Sequence, residues 1–318
     1  VNPPLPEPVV VVATESDAAA MVEVVHAAFG ARPPIDPPST ADQETAETIA
    51  AALRRGGGIV ATVGDRPAGA ILVGSTSEDV ATFARVSVHP DFQRHGIASA
   101  MIAAAEDLAA LQGHTRVDLF AREEFAELIA YWGHRGYAVA RLAPHGVVLS
   151  KPLPTALRLV DAAATTELGR RLADVVRPGD LLVLSGELGA GKTTLTQGLG
   201  HGLGVTGPVI SPTFVLSRVH ATPTGRPTLV HVDAYRLGSA VELDDLDLDA
   251  SAPTSVTVVE WGRGLVEQSW DDRLEVDLVH DPEGGRLALL RPVGPRWADV
   301  DLASLDPQTP AYAEASGA

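Results

Sequence analysis

The stretch Gly186, Glu187, Leu188, Gly189, Ala190, Gly191, Lys192, Thr193 fits G-x-x-x-x-G-K-[ST] without a mismatch. No other feature of the chain restricts its fold so tightly. Such a loop works between a strand that delivers it and a helix that leaves it, so it demands a layered α/β domain. The flanks agree. The apolar run 181–184 enters, and a segment with Leu195, Leu199 and Leu203 at helical spacing leaves. The glycines allow backbone angles that turn several N–H groups inward as an anion nest. Lys192 neutralises the β- and γ-phosphates, the Thr193 hydroxyl ligates Mg²⁺, and the helix aims its positive end at the phosphates. The residues from Gly186 to Thr194 are therefore the expected nucleotide contacts. By chance, a composition with 30 glycines and only two lysines yields this pattern in roughly two chains per thousand.

A phosphate loop needs acidic partners for its metal and its attacking water. Two later apolar runs end in one: 229–232 delivers Asp233, and 256–259 delivers Glu260, followed by Trp261. In open α/β sheets ligands sit outside the carboxyl ends of strands, where both acids fall. The plainer reading makes each the first polar residue after a strand. Ser211-Pro212-Thr213-Phe214 lies between the loop helix and Asp233 and reads either as a switch-like loop or as an ordinary Ser-Pro turn.

Taken in order, the phosphate loop with Thr194 and Leu195, the Ser-Pro-Thr-Phe stretch, His231-Val-Asp-Ala-Tyr-Arg-Leu237, Glu242-Leu-Asp-Asp-Leu246 and Val259-Glu-Trp-Gly262 resemble the TsaE family. That family comprises the small bacterial ATPases of tRNA threonylcarbamoyladenosine synthesis. The resemblance runs from about 155 to 293. It implies an ATPase that works with the TsaD and TsaB proteins and touches tRNA only through them. It also implies that Thr193 and Glu260 hold Mg²⁺, that Asp233 serves the γ-phosphate, the metal or the attacking water, and that Trp261 is an aromatic near the nucleotide. Gly262 stands where a proline is common, a departure confined to the turn.

The first half carries a weaker phosphate signal. Gln93-Arg94-His95-Gly96-Ile97-Ala98 fits [QR]-x-x-G-x-[GA], a pattern common enough to occur about 0.6 times per chain by chance at this composition. Its setting gives it weight, since a strand ends at 88 and an Ala-rich helix runs from Ser99 to 111. Amides at such a helix start can hold a pyrophosphate without a lysine. The order helix, helix, hairpin, strand, pyrophosphate loop, helix, strand, helix, then Gly136-Tyr137, resembles the GNAT acetyltransferases from about 8 to 151. The resemblance implies that Arg94, His95, Gly96, Ile97, Ala98 and Ser99 contact the pyrophosphate of acetyl-CoA. It also implies that the main chain of Val86 and Val88 pairs with the pantetheine arm. Where many members place a general-acid tyrosine this chain has Trp132, with Tyr131 beside it, so the role passes to Tyr131 or water, or is absent. Glu78, Ser87 and His89 are the candidate bases, each more readily read as structural.

The expected class is α/β: a GNAT-like α+β domain over 1–152, a phosphate-loop α/β domain over 153–303, and a flexible tail over 304–318. Lys151-Pro152-Leu153-Pro154 makes the joint. The absence of cysteine excludes disulfides, thiolate metal sites and a cysteine nucleophile. A net charge of −17, with neither half basic, opposes direct nucleic-acid binding. No run reaches 18 apolar residues, and the opening residues lack a basic stretch and an apolar core, so a cytoplasmic protein without a membrane partner is expected. Two rival functions stand beside the ATPase: a small-molecule kinase fused to an acetyltransferase, and an ATPase carrying a non-catalytic acetyl-CoA sensor.

Overall fold

The computed structural model describes residues 6–237, 239, 242, 243, 246, 248–266, 270–281 and 283–309. The chain divides after Pro154 into two compact units. The first contains β1 (Pro8–Val12), α1 (Ala18–Gly30), α2 (Ala46–Gly56), β2 (Gly58–Val63), β3 (Arg66–Ser75), β4 (Val80–Val88), α3 (Ile97–Leu111), β5 (Arg116–Arg122), α4 (Ala126–His134), β6 (Ala138–Ala143) and β7 (Gly146–Pro152). Its sheet has the order β1-β2-β3-β4-β5-β7-β6. Neighbours are antiparallel except β4 and β5, which run parallel and pair from Val80 with Arg116 to Phe83 with Leu119. Beyond that point β4 pairs on with β3 as far as Val88, and β5 with β7 as far as Arg122. The two strands thus part along their facing edges and leave a wedge.

The local causes are legible in the residues. Met21, Val24, Val25 and Ala28 form the buried side of α1, as 3.6-residue spacing requires. Thr45 caps α2 by accepting the Thr48 amide at 3.2 Å, and Gly57, at φ 93°, ends it. A register shift in β3 between Ala70 and Leu72, opposite the left-handed Arg85 (φ 53°), bends β4 where it leaves β5.

The second unit contains β8 (Thr155–Leu159), α5 (Ala162–Val175), β9 (Leu181–Ser185), α6 (Lys192–Leu203), β10 (Ser217–His220), β11 (Thr228–Asp233), α7 (Leu248–Ser251), β12 (Ser255–Glu260), β13 (Arg273–His280) and β14 (Arg286–Val293). The sheet order is β10-β11-β12-β9-β13-β14-β8. The four central strands are parallel, and β10, β14 and β8 extend the sheet antiparallel at its flanks. Both faces are covered. Leu182 and Leu184 of β9 join Leu168, Leu195 and Leu199 in one core. Leu181 and Val183 join Val230, Val232 and Leu248 in another. Burial on both faces is why these strands read as unbroken apolar runs.

Helices α5 and α6 meet backbone to backbone. A Cβ on Gly169 would lie 2.1 Å from the Leu195 carbonyl oxygen, and one on Gly198 2.0 Å from that of Thr166. The expected loose tail needs correction over 304–309. Leu302 and Leu305 are buried, and the Arg171 guanidinium of α5 donates to the carbonyls of Asp306 (2.5 Å) and Thr309 (2.8 Å). Two leucines among small residues are enough to seat this segment. Residues 310–318, the rest of that expected tail, lie outside the described residues. Among the described residues, no helix is long and apolar enough to cross a membrane.

Candidate functional site

The loop from Gly186 to Thr193 joins β9 to α6. Gly186 (φ 140°), Gly189 (φ 81°) and Gly191 (φ 108°) all adopt angles that side chains resist. At Gly186 the reason is doubled, because a Cβ would strike the Leu278 carbonyl oxygen at 2.3 Å. Leu188 stands 90% exposed at the loop tip, and Ala190 is buried under it. From β14, Arg286 straps the loop by donating to the carbonyls of Ala190 and Gly189, both at 3.2 Å.

Lys192 is folded back into its own loop. Its ammonium donates to the carbonyls of Gly186 (2.7 Å) and Glu187 (2.9 Å) and lies 3.9 Å from the centre of the Trp261 ring. Burial pushes its pKa below the usual lysine value, opposed by the carboxylates of Glu260 and Asp233. The Trp261 side chain thus caps the cation, as a left-handed residue (φ 63°) whose ring also meets Tyr235 at 5.3 Å. A nucleotide that draws Lys192 away must alter this contact. Protein fluorescence should therefore change on addition of ADP, and the change should vanish in Trp261→Phe; an undiminished change in that variant would place the ring away from the nucleotide.

Parallel register brings the acids to the loop. Asp233 stands opposite Glu260, and Glu260 opposite Leu184, one residue before the end of β9. The Thr193 hydroxyl donates to Glu260 Oε1 at 3.0 Å and lies 3.3 Å from Oε2. His231, fully buried, places Nε2 2.9 Å from the same Oε1. Asp233 is held separately: Oδ2 accepts the hydroxyls of Ser211 (2.9 Å) and Thr213 (2.6 Å), and Oδ1 accepts the Tyr235 amide at 3.1 Å. The Ser-Pro-Thr stretch is therefore joined to the acid and is more than a turn. Among the described residues no three His, Asp or Glu side chains gather as a preformed metal cage. The donors at the loop, a threonine hydroxyl and carboxylates, are all oxygen. Such a set suits a hard divalent cation that brings phosphate and water oxygens with it.

Sequence reasoning did not anticipate His231 or Arg286 as site residues. His231 stood only as a letter in a motif. Arg286 reaches the loop across nearly 100 residues and carries no local signal.

In the first unit, the loop before α3 has Arg94 (φ 66°) and Gly96 (φ 76°) in left-handed geometry, and Gly96 is the helix cap. Ile97, Ala98 and Ser99 form the first turn, whose N–H groups have no intrahelical acceptor. Arg135, following α4, donates to the Ser99 hydroxyl at 2.8 Å and its carbonyl at 3.2 Å, which ties the α4 end to this loop. Val86 and Val88 lie on the part of β4 that faces the wedge. Trp132 is buried with its ring edge-on to Tyr137 at 4.9 Å, a packing role. The Tyr131 hydroxyl is buried without a hydrogen-bond partner among the described residues. Ser87 donates to the Arg85 carbonyl at 2.9 Å, His89 Nδ1 accepts the Asp91 amide at 3.3 Å, and the Glu78 carbonyl meets His114 at 2.8 Å. The Ser87 and His89 side chains are thus engaged in local contacts, whereas Glu78 is tied to His114 through its main chain alone.

Comparison with known proteins follows the same division. The family model for threonylcarbamoyl adenosine biosynthesis protein TsaE matches residues 159–288, and that for the acetyltransferase (GNAT) family matches residues 21–137. The tRNA threonylcarbamoyladenosine biosynthesis protein TsaE of Streptomyces coelicolor is 56% identical over 144 residues, covering 44% of this chain and 97% of that protein. The Bacillus subtilis protein of the same name is 36% identical over 141 residues, covering 44% of this chain and 87% of its own length. Among solved structures, an N-acetyltransferase of Thermoplasma acidophilum in complex with coenzyme A covers 46% of this chain and 99% of its own, at 13% identity and a TM-score of 0.41.

Proposed function

The chain belongs to the TsaE family, with a GNAT-family domain ahead of it, and from that membership we propose that its second unit hydrolyses ATP in the threonylcarbamoyl modification of tRNA adenosine. One observation carries the reading: parallel register sets Glu260 and Asp233 side by side at the strand ends, with the Thr193 hydroxyl already on Glu260. In this reading Lys192 leaves the loop carbonyls for the β- and γ-phosphates. Thr193 and Glu260, with Asp233 beside them, hold Mg²⁺, which supplies charge neutralisation when bound. Asp233, tied to Ser211 and Thr213, orients the attacking water or reports the γ-phosphate to that loop. The nest amides from Gly186 to Thr194 hold the remaining phosphate oxygens.

TsaD and TsaB are the proposed partners, and tRNA is met through them. The net charge of −17 supports this division of labour, since an acidic protein repels a polyanion. Phe214, at 86% exposed, and Tyr235, at 65%, flank the Asp233 loop as apolar contacts for a partner.

For the first unit we propose acetyl transfer from acetyl-CoA. The pyrophosphate lies on the amides from Arg94 to Ser99, and the pantetheine arm fills the wedge against the main chain of Val86 and Val88. Tyr131 is the proposed acid for the departing thiolate, because Trp132 is consumed by packing and an indole N–H is a poor acid. We place the boundary between the activities at 152–154, and the whole chain in the cytoplasm.

Two assays test the reading. ATP hydrolysis measured with and without TsaD and TsaB from the same source should rise at least about tenfold with the partners; indifference to them would overturn it. Tyr131→Phe should bind acetyl-CoA within about threefold of wild type and lose acetyl transfer to an amine by about 10²-fold. Equal transfer by the two proteins would remove Tyr131 from the mechanism, and binding without transfer by either would make the unit a sensor.

A further inference from the structure

We infer that His231 is a positioning residue for Glu260: it fixes the carboxylate in the orientation in which the phosphate loop uses it. The inference rests on the role proposed above for Glu260 and adds a residue to it.

The placement is unusual for a histidine. His231 lies inside β11, whose five residues from Leu229 to Asp233 are all buried. An aliphatic side chain would suit that setting, whereas an imidazole must be desolvated there. Its Nδ1 is buried without a hydrogen-bond partner among the described residues. The ring therefore gains little from its surroundings except through Nε2. A carboxylate oxygen only accepts, so Nε2 carries the proton and donates to Glu260 Oε1 at 2.9 Å. The ring of His220 on β10 is 6.4 Å away between centroids, and its own Nε2 is likewise without a partner among the described residues.

Register explains the reach. His231 and Asp233 are two apart on one strand and share a face. Glu260 stands opposite Asp233 on β12, so its side chain leans back towards His231. Glu260 Oε1 then takes donors from two sides, Thr193 Oγ1 at 3.0 Å and His231 Nε2 at 2.9 Å. Thr193 belongs to the loop and has a competing duty there. His231 belongs to the sheet, does not move with the loop, and keeps the carboxylate's rotation fixed whatever Thr193 does. Partners of this kind, one bond removed from the working ligand, typically change affinity or activity by 10- to 100-fold.

The test uses the full chain with TsaD and TsaB present, and compares His231→Gln, His231→Asn, His231→Leu, Glu260→Gln and the His231→Leu/Glu260→Gln double variant. The readouts are kcat and KM for ATP, and the affinity for ADP titrated with and without Mg²⁺. His231→Leu and His231→Asn should lower kcat by about 10- to 100-fold and blunt the effect of Mg²⁺ on ADP affinity, with metal-free ADP bound within about threefold of wild type. Glutamine, whose amide reaches where the asparagine amide falls short, should restore kcat to within about threefold. The double variant should match Glu260→Gln alone, because a residue acting only through Glu260 has nothing left to lose. If Leu does not fold at 231, Asn against Gln carries the same comparison. Wild-type kcat and Mg²⁺ response in His231→Leu or His231→Asn would overturn the inference, as would no gain from Gln over Asn, or losses that multiply in the double variant. If Glu260→Gln itself is fully active, the proposed role of Glu260 fails first, and that outcome is distinct from an inactive Glu260→Gln beside an active His231→Leu.

Discussion

Lys192→Ala is expected to lower ATP hydrolysis by about 10²–10³-fold, the usual loss when a preorganised charge is removed from a developing anion, without lowering the melting midpoint. The two halves of this result have one cause. The Lys192 ammonium is buried under Trp261 and, among the described residues, has two loop carbonyls as acceptors, and that burial depresses its pKa from the ordinary 10.5. A cation whose folded pKa lies below its unfolded one costs stability wherever it is charged in both states, and the cost fades as pH rises through the folded pKa. Alanine removes the cost together with the function. Gly186 is half-buried and Glu187 exposed, so water is expected to replace the ammonium at their carbonyls. Melting curves of the two proteins at neutral pH should therefore coincide or favour the variant, and any advantage should shrink at alkaline pH. A variant melting several degrees lower would mean that Lys192 is a structural cross-brace, and the loop a fold element before it is a binding site.

Gly198→Val should have the largest effect on stability. The new Cβ would lie 2.0 Å from the Thr166 carbonyl oxygen, a backbone atom that cannot swing aside. Helix α6 would have to lift from α5, opening the core around Leu168, Leu195 and Leu199. Overpacking of this kind costs about 3 kcal/mol or more, which corresponds to roughly 6–12 °C for a unit of this size. Because α6 begins at Lys192, the phosphate loop should tilt with it, and ADP binding should be lost in whatever fraction stays folded. Gly133→Ala is the control: nothing lies within 4 Å of its Cβ, and its φ is not positive. It should leave the melting curve unchanged or raise it slightly. A Gly198→Val protein that melts and binds like wild type would show that the helices have more room than their backbones display.

The mixed α/β class and the two families could be read from residues because their signals are local. A phosphate loop, a strand-end acid and a glycine cap each lie within a few positions of one another. The strands β6, β8, β10 and β14 carry no such signal. β6 is exposed along most of its length and shows no alternation. β8 and β10 are short. β14 holds Pro292, which reads as a strand breaker but pairs with Leu274 near the strand's end. Contacts made across distance were equally silent. Nothing near Arg286 announces that it straps the loop, and residues 304–309 look like tail composition until Arg171 is seen donating to Asp306 and Thr309. His231 was visible as a letter, but only the strand register shows which carboxylate it meets.

The edge strand β8 has a consequence for how the protein is made. It pairs with β14, Thr155 with Leu290 and Leu159 with Arg286, so the earliest strand of the second unit waits for the latest. During synthesis the first sheet can close while the second is still emerging, because its last strand ends at Pro152. The second sheet cannot close until its β13–β14 hairpin has left the ribosome, at an elongation rate of about 5–20 residues per second. Until then β8 and the apolar strands behind it are held open, and long-range pairing of this kind is intrinsically slow to form. The phosphate loop therefore comes into being late and all at once. A nascent chain stalled before β14 should expose protease-sensitive apolar strands and should not bind nucleotide.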